Sequence, residues 1–290
     1  MKRTALLSLV MILMLMLLTG CKSSLLGNNN DNDTPAGTGT VGSARFSEGL
    51  EYELAPDEKS YHLIGMGTCT EKEIHIPDTY KDLPVTSIAT DAFSKTSITS
   101  IKLGKFTERI AYRAFKNCKS LKEVKLNTGI SIIDSNAFEG CESLLDISFP
   151  ESLHLINTYA FKGCTMLESA TYADGIKVTE ISKGLFSGCS SLKNILFEGS
   201  TAIILVNEFA FEGCTSLEET ILPDTVTEVK ESAYNGCTSL KVLYIPRDLT
   251  TINSSLISYP FDSVRVSPDN EKYSSEGNCL LLKESNVLLR

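Results

Sequence analysis

The chain has 290 residues, with 36 acidic against 27 basic side chains, nine cysteines, three histidines and no tryptophan. A net charge of −9 with no basic stripe anywhere argues against binding nucleic acid or anionic lipid through charge. With 42% apolar residues, the chain has enough material for a packed core.

The first elements concern export. Lys2 and Arg3 precede an apolar run from Ala5 to Leu18 that is broken only by Ser8. Fourteen residues are short for a spanning helix and fit the core of a signal peptide. The run closes on Leu18-Thr19-Gly20-Cys21, which resembles the lipobox of bacterial lipoproteins, although Ala or Ser is more usual where Thr19 stands. That resemblance implies cleavage before Cys21 and lipidation of its thiol. Residues 1–20 are therefore expected to be removed, taking two of the 27 basic residues and leaving 25 against 36 acidic. Residues 21–45 are rich in Asn, Asp, Gly and Thr, cannot bury enough apolar surface to order themselves, and read as a flexible tether. The Asn29 to Asp33 cluster lacks the Gly and Glu that a calcium loop needs at fixed offsets. No metal is expected there.

Residues 46–71 read as an N-terminal β cap. Leu50 to Leu54 and Tyr61 to Ile64 bracket Pro56-Asp57-Glu58-Lys59, a hairpin signal.

Beyond the cap the phrase Ala-Phe-x-x-Cys-x-x-Leu recurs. Its aromatic and Cys fall at Phe115/Cys118, Phe138/Cys141, Phe161/Cys164, Phe186/Cys189, Phe211/Cys214 and Tyr234/Cys237. The aromatics stand 23, 23, 25, 25 and 23 residues apart. A fixed period of this length marks a solenoid, in which each unit buries its apolar face only against its neighbours. Counted from the Cys, Leu occupies position three throughout. Mostly apolar residues occupy positions six and eight, the period of a half-buried strand. Pro150, Pro223 and Pro246 end the strand. Ile88, Ile110, Ile133, Ile156, Ile181, Val206 and Val229, each five residues before the aromatic, mark a second short strand. Two irregular units complete the set: Phe93, with Thr96 where the others have Cys, and Leu256-Ile257 in place of Ala-Phe.

The pattern L-x-x-I-x-L-P followed by I-x-x-x-A-F-x-x-C resembles the BspA-like leucine-rich repeat over roughly Lys72 to Pro260. The resemblance implies a leucine-rich repeat solenoid: β-rich, with short parallel strands and tight turns or short helical turns on the opposite face. About eight coils are expected over residues 72–260, closed by a β-hairpin cap over residues 261–290. Members of that family are typically surface or secreted proteins linked to adhesion and protein binding, and the resemblance carries that expectation with it.

Catalysis is not expected. His62, His75 and His154 lie on separate predicted elements, and no G-x-S-x-G, H-E-x-x-H or phosphate-binding glycine loop occurs. Nor does any C-x-x-C pair suggest a metal site or a cofactor. The cysteines in one phase are expected to be buried free thiols that fill small apolar spaces, since cross-linking parallel side chains in pairs would distort a regular stack.

Partner binding is expected on the outward strand positions, which change along the array. Position seven reads Lys125, Ser148, Thr171, Leu196, Ile221, Tyr244, turning apolar over the last three coils. Leu196, Ile221 and Tyr244, flanked by Glu219 and Val242, form the candidate stripe for a protein ligand. The competing expectation is that Phe261 to Val266 covers it. The functional reading is a monomeric, lipid-anchored envelope protein, at the outer membrane or cell surface, that binds protein for adhesion or host and matrix contact. The alternative is a carbohydrate-binding or structural envelope module, against which stand the missing Trp and the single aromatic on the outward track.

Overall fold

The computed structural model describes residues 46–289, apart from 200, 221, 254, 255, 257–259 and 286. The expected signal peptide, Cys21 and the tether lie outside the described residues. So do Ile221 and the Ile257 of the last irregular unit.

Two tracks of short strands run along the stack, each hydrogen-bonded in segments. The first comprises Glu73–His75, Ser100–Lys102, Glu123–Lys125, Asp146–Phe149, Ser169–Tyr172, Asn194–Phe197, Val242–Ile245 and Ser263–Val266, with Glu219 bridging to Val242. The second comprises Tyr61–Gly65, Leu83–Ile88, Arg109–Ile110, Ile132–Ile133, Leu155–Ile156, Glu180–Ile181, Leu205–Val206 and Glu228–Val229, with a last bridge from Glu228 to Thr251. All pairing between coils is parallel, and the register follows the repeat, so that Ile147 faces Ala170 and Ala170 faces Ile195. About nine coils result, one more than the eight units counted in the sequence. Residues 261–266 lack the Ala-Phe-Cys phrase yet still add a parallel strand beside Val242–Ile245. An antiparallel strand, Glu51–Leu54, covers the front of the second ladder. A three-stranded antiparallel sheet of Tyr273–Glu276, Cys279–Leu282 and Val287–Leu288 follows the ninth coil.

Why the repeated Phe sits where it does follows from packing. From Phe93 to Tyr234 the rings form one stack, with successive centroids 5.2, 5.0, 5.0, 6.0, 5.8 and 5.1 Å apart. A separation of one coil leaves the rings in offset parallel contact, worth about 0.5–1.5 kcal/mol a pair beyond area burial. A second, shorter stack of Phe149, Tyr172 and Phe197 lines the inner face of the first ladder. Leu121, Leu144, Leu167 and Leu192 are fully buried in the same core.

The Ala-Phe-x-x-Cys segment is a bend that carries a third hydrogen-bond ladder. In the third coil Ala114, Lys116 and Cys118 donate their amides back within the coil, to Ala111, Arg113 and Phe115. The intervening Arg113, Phe115 and Asn117 donate onward to Ser135, Ala137 and Glu139 of the fourth coil, at 3.2, 2.7 and 2.7 Å. Alternate amides thus point to alternate partners, which a helix cannot achieve. The cost falls on two residues per coil that adopt left-handed φ. One lies two residues after the aromatic, where Gly140, Gly163, Gly188, Gly213 and Gly236 have φ of 69 to 76°. The other lies two residues before it, where Asp91, Arg113, Asn136, Tyr159, Phe209 and Ser232 stand at 55 to 60° and only Gly184 is a glycine. Each L-residue held there costs about 1–2 kcal/mol, which the onward bond offsets.

Candidate binding surface

The candidate stripe divides. Leu196 stands outward on its strand with 50% of its surface exposed. Glu219, Val242 and Tyr244 are half-buried and are brought together by the bridge between Glu219 and Val242. Ser263–Val266 does not fold across them. It pairs edge to edge, with Ser263 beside Val242 and Arg265 beside Tyr244. Phe261 and Val264 turn inward instead, at 8 and 4% exposure. Arg265 closes that end with an ion pair to Glu219 at 3.3 Å.

The seventh coil departs from the regular ladder at Thr220. Thr220 is buried, and its hydroxyl accepts the Tyr244 amide at 2.9 Å, a place a backbone carbonyl holds in a regular ladder. The result is a groove of about 610 Å³ whose lining includes Leu196, Phe197, Leu222, Pro223, Asp224, Tyr244 and Arg247. Its polar end is ordered: Asp224 accepts the Arg247 amide at 3.0 Å and the Tyr244 hydroxyl at 3.4 Å. Partial burial, followed by the Asp224 carboxylate, pushes the Tyr244 phenol up from its ordinary value. The arrangement can hold an apolar segment with one polar anchor. It offers no activated nucleophile.

The cysteine phase also serves structure. Each thiol donates to the carbonyl of the aromatic one coil back: Cys118 to Phe93, Cys141 to Phe115, Cys164 to Phe138, Cys189 to Phe161, Cys214 to Phe186 and Cys237 to Phe211, at 2.9 to 3.3 Å. From Phe115 to Phe211 each of those carbonyls already accepts the amide of its own Cys, so the sulfur fills a second lone pair. All six side chains are fully buried free thiols. Burial pushes every one upward, Cys237 to about 12. Closed in and neutral, they are poor nucleophiles and poor metal ligands.

The histidines do not converge. His62 lies on a second-ladder strand, His75 on a first-ladder strand, and His154 is exposed with its Nδ1 3.4 Å from the Ser131 hydroxyl. Among the described residues no group of three or more His, Cys, Asp or Glu could hold a metal ion. No helix among them is long and apolar enough to cross a membrane.

One feature was missed at the sequence level. Tyr159 and Phe209, half-buried, occupy the left-handed column of the bend, with Lys162 Nζ 5.2 Å from the first ring centre and Lys183 Nζ 5.6 Å from the second. An aromatic in a column otherwise filled by short polar residues, Arg and Gly was the available signal.

This is a parallel β-solenoid of the leucine-rich repeat class. The chain belongs to the BspA type leucine rich repeat family, whose model matches residues 86–204 and 176–266 in six copies, together more than half of the chain. None of the curated proteins matches it. Among solved structures it is similar to a leucine rich cell surface protein from Faecalibacterium prausnitzii A2-165, with 25% identity and a TM-score of 0.61 over 84% of this chain. It spans 59% of that protein. A leucine-rich repeat protein from Eubacterium ventriosum ATCC 27560 shares the fold, at 19% identity and a TM-score of 0.50, over 75% of this chain and 50% of the other. The family and the likeness to the Faecalibacterium protein point to a surface or protein-interaction module, a class whose members bind or support rather than catalyse.

Proposed function

We propose that the chain is exported, anchored to the bacterial envelope by lipid on Cys21, and displayed at the cell surface, where the groove face of its solenoid binds a protein ligand in adhesion. The observation that carries the binding part is Leu196, a large apolar side chain half exposed on a strand and bordering a groove that Tyr244 also lines. Singly exposed leucines are common. One set beside a groove with a polar anchor is the arrangement that recognition of a peptide segment uses. The lipobox-like Leu18-Thr19-Gly20-Cys21 supports the anchor, and the cell-surface description of the Faecalibacterium protein supports the location.

The test uses immobilised extracellular-matrix proteins and the variant Leu196→Ser/Ile221→Ser/Tyr244→Ser, with folding checked by circular dichroism. Affinity should drop by roughly tenfold or more, the loss of one interface anchor. Undiminished binding of the variant to every protein that the natural chain engages would sink the assignment of this face. For the anchor, Cys21→Ala should shift the protein from the detergent to the aqueous phase on temperature-induced separation. Protease shaving of intact cells should remove the solenoid if it is displayed.

A further inference from the structure

The stacked cysteines are nucleophiles that the groove does not use. Six of them, from Cys118 to Cys237, have no exposed surface, and each S–H bond crosses from its own coil to the aromatic carbonyl of the coil before. Burial and bonding therefore share one condition: a thiol of this column meets solvent only when its coil parts from a neighbour. The exposed Cys279, in the sheet that follows the ninth coil, is under no such restraint. Nor does the position require sulfur. In the second coil Thr96 stands in the same phase, its hydroxyl 3.4 Å from the Cys118 sulfur. A hydroxyl does not exchange with disulfides, whereas a thiol freed from the core does.

We propose that the column is a set of cryptic thiolation sites, opened with the coils, whose reaction with a small-molecule disulfide holds an opened coil open. The step balances within its two reactants. The Cys thiolate attacks one sulfur of R–S–S–R and a Cys–S–S–R bond forms; the old S–S bond breaks, and the R–S⁻ that leaves takes up the proton the thiol gave. A mixed disulfide does not fit back into the stack. Its sulfur has lost the proton that it donated to the aromatic carbonyl, and the added group would have to enter a place with no exposed surface. A second column thiol that displaces R–SH leaves a disulfide within the chain and forfeits the same hydrogen bonds. Small disulfides belong to the oxidising surroundings that an exported chain meets. None of the six thiols lines the groove, so this chemistry stands whether or not the groove binds protein.

The experiment incubates the purified chain with glutathione disulfide at mildly alkaline pH and maps the modified cysteines by non-reducing mass spectrometry. Without urea Cys279 should react, and the six column thiols should react at least roughly a hundredfold more slowly, because they have to wait for an opening. In urea just below the unfolding midpoint all six should be modified, and modification should drain the open state. The native circular-dichroism signal should then decay with time in glutathione disulfide, hold steady without it, and return when dithiothreitol removes the adducts. Two results would each overturn the proposal: column thiols that react as fast as Cys279 in the absence of urea, or a chain whose column is modified while its native signal holds.

Discussion

Replacing Phe138 by Ala tests whether the aromatic column holds the coils together. The side chain has no exposed surface and stacks on Phe115 and Phe161, each 5.0 Å away with ring planes within 9°. Truncating a buried Phe costs about 3–5 kcal/mol through lost transfer energy and the cavity left behind. Two ring pairs are included in that figure and account for about 1–3 kcal/mol of it. Because each coil touches only its neighbours, the loss is concentrated at the interfaces of the fourth coil with the third and fifth, and the array should cease to unfold as one unit. Urea unfolding followed by circular dichroism should show an earlier, broader transition with a smaller apparent m-value. Hydrogen exchange should place the early opening on one side of coil four. Phe138→Leu, which keeps most of the volume, should cost less than about 1.5 kcal/mol. A loss below about 1 kcal/mol for the Ala variant, with an unchanged m-value, would refute the column as the main tie between coils.

Three further outcomes follow from buried groups. The Tyr172 hydroxyl is buried and meets no hydrogen-bond partner among the described residues, and burial pushes its phenol strongly upward. Tyr172→Phe should therefore stabilise the chain by about 1 kcal/mol in urea unfolding, and a loss of stability would show that the hydroxyl is satisfied. Burial raises the thiols, Cys237 from 9.0 to about 12, so above pH 9 the unfolded chain ionises while the native one does not. Their contribution is complete below pH 9 and is lost as pH rises toward 12; the urea midpoint should fall over that window, and less steeply in Cys237→Ala. Gly184→Ala should destabilise by more than about 1 kcal/mol, from left-handed strain together with the clash on the Tyr159 ring. Adding Tyr159→Asn should return the clash part alone, a coupling that a double-mutant cycle measures.

Much of the architecture was legible because one residue type recurs at each inward position. Phe138, Cys141 and Leu144 sit one period before Phe161, Cys164 and Leu167, and all six are buried. The ninth coil was read only in part: its Leu256-Ile257 bend was counted, but Ser263–Val266 was assigned to the cap, because Val264 and Val266 keep the inward alternation without the aromatic and Cys that marked most other units. The third hydrogen-bond ladder was also hidden. Its requirement is a backbone angle, and Asp91, Arg113, Asn136, Tyr159, Gly184, Phe209 and Ser232 satisfy it with no shared side chain. For the binding face, alternation placed Leu196 and Tyr244 outward, but it could not show that the Thr220 hydroxyl takes the Tyr244 amide or that a groove lies beside them.

The bonds between coils have a mechanical consequence. The strand ladders and the bend ladder all join one coil to the next, so a pull on the two ends of the chain loads them one coil at a time and not in parallel. Unravelling would proceed by peeling, and each released coil of 23 or 25 residues would pay out about 75–90 Å of extended chain. A protein tethered at one end and gripped at the other would yield in even steps, absorbing a sudden load while the remaining coils keep their shape.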